Sequence, residues 1–169
     1  LLTRDRMDRM IDAADDGEAR KVLAECGYPE GGSLDQALAA ARADVFRDME
    51  SAVPDPRLVE IFQLKYDYHN VKALLKAEAM GTSADSMLMD LGRVPVAELK
   101  EAVRTGQLDA LPNLLAEAVT EAREVLGTTS DPQLSDIVLD RWCYRDLAQV
   151  AESTGSAFLM GYVQTQIDA

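Results

Sequence analysis

The stretch Asp55–Met80, DPRLVEIFQLKYDYHNVKALLKAEAM, decides the fold. Asp55 stands where a helix cap is needed, and Pro56 suits the first helical position, where its missing N–H costs nothing. No further glycine or proline occurs before Gly81, a natural C-terminal stop. The helical rise makes Pro56–Met80 a rod of about 37 Å. Ile61, Leu64, Tyr68, Val71 and Leu75 step by three and four residues, giving one apolar stripe. Lys65, Lys72 and Lys76 fall together on one flank of that stripe, and Asp67 and Asn70 on the other. Such a helix packs on a core and still shows a partner something specific.

The rest of the chain fits a helical reading. Its 169 residues suffice for one domain with a real core or for two small lobes. Hydrophobic residues make up 47% and charged residues 28%, the balance of a globular protein. Aromatics are only 5% while alanine and leucine abound, which favours helix over strand. A net charge of −13 argues against nucleic acid and against anionic lipid headgroups, leaving basic proteins as partners. Two well-separated cysteines, Cys26 and Cys143, suit a reduced, cytoplasmic protein. No run of 18 apolar residues is present, so no membrane span is expected. The chain opens at Leu1 without methionine and ends at Ala169 within a helical pattern, as an excised fragment would.

In chain order, Thr3 is expected to cap a helix through about Ala14, with Met7, Met10 and Ile11 inward. A short helix Glu18–Glu25 follows, then a loop at Glu30-Gly31-Gly32. Ser33 caps a helix from Leu34 to about Ala52, and Val53-Pro54 leads into the long helix, an antiparallel hairpin. After Gly81, Ser83 is expected to cap a short helix holding Met87, Leu88 and Leu91, ended by Gly92. Helices Val96–Arg104 and Pro112–Leu126 come next, with a turn at Gly127–Ser130. Asp131-Pro132 opens a helix to about Ser153, and Gly155 restarts helix to the end. No segment alternates with period two.

Two parts of the chain repeat. Phe46-Arg47-Asp48-Met49 recurs as Tyr144-Arg145-Asp146-Leu147, and Ile61–Asp67 recurs as Tyr162–Asp168. A three-residue gap in the turn between helices reconciles the two offsets. The reading is an all-α chain of helical hairpins with an internal pseudo-repeat, divided into residues 1–92 and 93–169.

Residues 65–76, KYDYHNVKALLK, resemble the signature D-x-x-N-[LIV]-K-x-[LI]-[LI]-[RK] of the central-stalk socket subunit of V-type and A-type ATPases. That subunit is called C in bacteria and archaea and d in eukaryotes. Leu1-Leu2-Thr3 with the helices to Tyr28, and Leu88–Gly92 with Pro95 and Leu99, are similar to other parts of the family pattern. The usual arginine that closes the signature is Lys76 here, and a second copy of the signature reaches only its aspartate, Asp168. The resemblance implies part of a funnel-shaped, pseudo-threefold helical subunit. It implies a seat on the membrane proteolipid ring and a hollow that receives the central shaft subunits of D and F type. The role implied is to couple rotation in ATP-driven or ATP-forming proton or sodium transport, without chemistry of its own, at the cytoplasmic face of the membrane.

The residues themselves point to no catalytic, cofactor or metal site. His69 is the sole histidine and lies on the lysine side, with Asp67 and Glu78 on other faces. There is no nucleophile-elbow pattern. Gly31-Gly32 lacks the glycine spacing of a phosphate cradle. Glu98, Glu101, Glu117, Glu121 and Glu124 read as a solvated face. Asp67 and Asn70 have two readings: bonds to a neighbouring helix end or loop inside the bundle, or a face towards the shaft. Lys65, Lys72 and Lys76 likewise are either solvated or in contact with a partner. A general helical adaptor is the alternative to a rotor subunit, and the two differ in what co-purifies.

Overall fold

The computed structural model describes residues 2–29 and 33–168. The expected loop Glu30-Gly31-Gly32 and the terminal residues Leu1 and Ala169 lie outside them. Among the described residues there are eight helices and no strand. The chain divides into two compact units, Leu1–Ser51 and Ala52–Ala169.

The first unit holds α1 (Arg4–Ile11), α2 (Asp16–Glu25) and most of α3 (Leu34–Ala52). Asp15 caps α2 by accepting from Glu18 N, and the Glu18 carboxylate accepts in return from Ala14 N. Ser33 and Gln36 form the reciprocal capping box that starts α3. Arg9 joins α1 to α2 through a forked pair with Glu25 at 2.9 and 3.2 Å. The expectation for α1 needs correction. It stops at Ile11 rather than near Ala14, Thr3 makes no side-chain cap bond, and Met7 and Ile11 are exposed. Two helical turns give this helix one narrow contact line, taken up with α2.

The second unit is built around α4 (Arg57–Met80). All five stripe residues, Ile61, Leu64, Tyr68, Val71 and Leu75, are 2% exposed or less, and Val59, Ala73 and Ala77 are buried with them. Burial therefore exceeds one stripe. α4 packs on α5 (Val96–Thr105), α6 (Asn113–Thr129) and α7 (Pro132–Thr154), while α8 (Ala157–Asp168) folds back on α7. Leu99, Leu115, Val119, Ala122, Leu139 and Trp142 fill the space around Leu64–Leu75. Ile61, Ala151, Leu159 and Val163 close the other end of the α4–α7 pair. Gly81 ends α4 in the left-handed region at φ 63°, which glycine adopts without strain.

Two expected elements differ. Residues 81–95 form turns instead of a helix. Ser83 Oγ caps only Asp85 N, and beyond it the backbone N–H groups of Met89 and Val94 bond to side chains of α4, which an i to i−4 ladder excludes. The expected turn at Gly127–Ser130 is also displaced: α6 continues to Thr129, and the hydroxyls of Thr128 and Thr129 bond back to carbonyls of the preceding turn. Ser130 then caps the helix at φ 55°, with its N–H donating to Leu126 O at 2.8 Å.

Ser130 is the single non-glycine residue among those described with positive φ. Ser130→Gly is expected to raise the unfolding free energy by about 1 kcal/mol, read as an increased urea midpoint.

Candidate functional site

Asp67 and Asn70 lie one turn apart on α4, both fully buried. Asn70 bonds Met89 twice: its Nδ2 donates to Met89 O at 2.8 Å, and Met89 N donates to its Oδ1 at 2.9 Å. The side chain thus treats the loop as a strand treats its neighbour. Asp67 Oδ1 accepts from Val94 N at 3.1 Å, and Oδ2 accepts from Arg93 Nε at 2.9 Å. The far side of the same guanidinium reaches α7, donating to Asp146 at 2.8 and 3.4 Å. Tyr68 OH donates to Asp146 Oδ2 at 3.2 Å. One arginine therefore ties α4, the loop and α7 together.

Gly92 makes the approach possible. A Cβ placed there would lie 2.1 Å from Asp67 Oδ1 and 3.3 Å from Asp67 N, so any side chain would displace the Asp67 carboxylate from its bonds or lift the loop.

The cluster holds two carboxylates and one guanidinium. Burial pushes the Asp67 carboxyl above the usual carboxylate range, and the bonds from Arg93 and Val94 N–H only partly offset it. Burial opposes the charge on Arg93, but the bonds to Asp146 and then Asp67 outweigh that and raise its pKa further. Burial and the charge of Asp146 raise the Tyr68 phenol, which stays a donor. Beside them, burial pushes the Cys143 thiol up to about 12, so it is a protonated, packed side chain.

The lysine flank of α4 faces the acidic edge of α7. Lys72 Nζ lies 2.5 Å from Asp140 Oδ1, and Lys76 Nζ lies 2.5 Å from Asp136 Oδ2. Lys65 is exposed, its ammonium 5.1 Å from the centre of the Tyr66 ring. His69 is exposed and its Nε2 donates to Met87 O at 3.0 Å. Asp168 is exposed near the end of α8, where it accepts from Gln164 Nε2 at 2.8 Å. Of the acids read as a solvated face, Glu101 pairs with Arg104, and Glu121 pairs with Arg141 and accepts from Trp142 Nε1 at 2.7 Å.

Sequence reasoning singled out Asp67 and Asn70 but missed Arg93, Gly92 and the role of Asp146. The signal for Asp146 was its place in the repeated Arg-Asp motif. The signal for the ion pairs was Asp136 and Asp140, four apart like Lys72 and Lys76. Among the described residues, no group of three or more histidines, cysteines or acids is placed to hold a metal ion, and no helix is long and apolar enough to cross a membrane. The cluster's bonds run from one element of the bundle to another, which is the arrangement of a fastener.

Among the described residues the second unit is an all-helical bundle closed by this fastener. The chain belongs to the family described as the ATP synthase (C/AC39) subunit, which it matches over residues 1–169. It is 25% identical to the C subunit of the V-type sodium ATPase of Enterococcus hirae, over 99% of this chain and 53% of that one. It is 27% identical to the C subunit of the V-type ATP synthase of Thermus thermophilus, over 87% of this chain and 46% of that one. A shorter stretch, 41% of this chain, is 32% identical to 18% of the C subunit of the A-type ATP synthase of Methanocaldococcus jannaschii. The chain spans about half the length of the first two relatives. No solved structure gives a significant match.

Two outcomes test the cluster. Arg93→Met leaves two buried carboxylates without a counter-charge, and should lower the unfolding free energy by about 3–5 kcal/mol in urea titration. The second concerns pH. Folded Asp67 holds its proton more tightly than the unfolded chain does, so its contribution to stability is complete below about pH 3.9 and is lost as pH rises through the higher folded value. Asp67→Asn removes that dependence. The stability difference between the native chain and this variant should therefore shrink as pH rises above about 4.

Proposed function

We propose that this chain forms part of a non-catalytic rotor subunit that links the central shaft, of D and F type, to the proteolipid ring in a V- or A-type ATPase. The observation that carries the reading is the family match along all of residues 1–169, with relatives named as the C subunit of V-type and A-type complexes. In this reading, residues 1–92 and 93–169 descend from one duplicated helical unit, and the full subunit is a pseudo-threefold funnel. It sits at the cytoplasmic face, held to the membrane through the complex. A part that transmits force between neighbours needs stiffness more than a reaction centre. A bundle with its longest helix clamped on both flanks supplies it.

The lysine flank of α4 is the face assigned to an acidic patch on the shaft. Asp140 and Asp136 already balance Lys72 and Lys76, so Lys65 carries most of the contact. The full-length subunit is expected to co-purify with shaft subunits and proteolipid ring. Lys65→Glu is expected to weaken capture of the shaft and to flatten its salt dependence, with folding unchanged by circular dichroism. Co-purification with neither shaft nor ring would overturn the assignment, and an unaltered shaft interaction in Lys65→Glu would overturn the role of this face.

A further inference from the structure

Three helices of the second unit, α4, α7 and α8, enclose a cavity of about 300 Å³ that lies outside the Arg93 cluster. Its size is at the small end of the range for ligand sites, about 300–1,000 Å³. We propose that it binds a small aromatic acid, a single ring that carries one carboxylate.

The apolar half of the cavity calls for the ring. Ile61 and Leu147 line it beside Phe62 and Tyr162, whose rings lie 5.7 Å apart at 52°. Rings tilted at that distance leave a face and an edge for a third ring to meet. Ile61 packs with Ala151, Leu159 and Val163 in the core, so this wall is in place before a ligand arrives. Tyr68 and Cys143 also line the space and bring no negative charge to it. The Tyr68 hydroxyl is spent on Asp146, and the Cys143 thiol, pushed up to about 12 by burial, keeps its proton.

The polar half calls for the carboxylate. Lys65, His69 and Lys72 line it from α4, and Asp140 lines it from α7. Asp140 is already matched, with Lys72 Nζ 2.5 Å away, and His69 Nε2 is engaged at Met87 O. Lys65 is the unmatched charge: among the described residues it meets no carboxylate and only rests 5.1 Å from the Tyr66 ring centre. Tyr144 and Tyr162 line the same space, and among the described residues their hydroxyls have no hydrogen-bond partner. What is left unspent is one cation and two hydroxyl donors, in a chain of net charge −13. One negative charge with acceptor oxygens meets that surplus. A bare anion would leave the apolar half unfilled, a neutral ring would leave the ammonium without a partner, and a doubly charged phosphate ester would bring more charge than Lys65 balances. Lys65 is shared with the face assigned to the shaft, so the test uses the chain alone, without shaft or ring.

Fluorine NMR of para-fluorobenzoate with the 169-residue chain provides the measurement. Saturable line broadening with one site per chain is expected. Lys65→Gln should weaken binding about tenfold, the loss of one charge-assisted bond. Lys100→Gln makes the same change of charge at a lysine paired with Asp85 outside the cavity, and should leave binding unchanged. Leu147→Phe fills the apolar half and should abolish binding while the helical circular dichroism is retained. Should that variant fail to fold, Tyr162→Phe removes a hydroxyl alone and should weaken binding severalfold. Neutral para-fluorobenzyl alcohol should bind more weakly than the acid and be indifferent to Lys65→Gln. No saturable broadening at millimolar acid, or a loss of binding equal in Lys65→Gln and Lys100→Gln, would overturn the proposal.

Discussion

Arg93 presents a planar fork to two helices at once, and the second unit is assembled around that geometry. Three of its N–H bonds end on carboxylates, one on Asp67 and two on Asp146, while Tyr68 supplies Asp146 with another donor. Burying these charges costs more than burying apolar groups of like size, so the cluster is a poor source of raw stability. Its value is selective. A packing of α4 on α7 that separates the three side chains leaves a buried charge alone, and the apolar stripe by itself would not penalise such packings so heavily.

The loop 81–95 shows the same constraint acting on the backbone. A segment with Met87, Leu88 and Leu91 has the composition of a short helix, yet its N–H groups at Met89 and Val94 are claimed by α4 side chains. Asn70 and Asp67 thus replace a helix's own ladder with bonds from outside. Ala73, Ala77 and Ala84 are small enough to let the loop lie close to the helix, and Gly92 permits closest approach at Asp67. Local propensity gives way because the long helix offers better-placed partners.

What could be read without coordinates follows from the range of each interaction. The α4 stripe is periodic over nearly four turns, and every one of its five residues is core. Helix ends marked by Gly81 and Asp131-Pro132 were legible because caps act over one turn. Met7 and Ile11 misled, since two turns of amphipathic pattern do not say whether an apolar face finds a partner. Arg93 was invisible for a different reason. It meets Asp67 across 26 residues of chain, and no spacing rule connects a loop arginine to a helix carboxylate at that range.

The ion pairs along α4 and α7 have a property that the apolar core conceals. Lys72 and Lys76 are four residues apart, and so are their partners Asp140 and Asp136. Two such rows form a ruler without a zero mark: a slide of about 6 Å along the helix axis, four residues, would still match one rung of each. The two rows therefore favour the antiparallel direction but leave the offset ambiguous. The Arg93 cluster supplies the missing zero, because its members occur once and do not repeat along either helix. Alignment of the two rods is consequently all-or-none, and a chain caught one turn out of step would keep a surface ion pair while stranding charge in its interior.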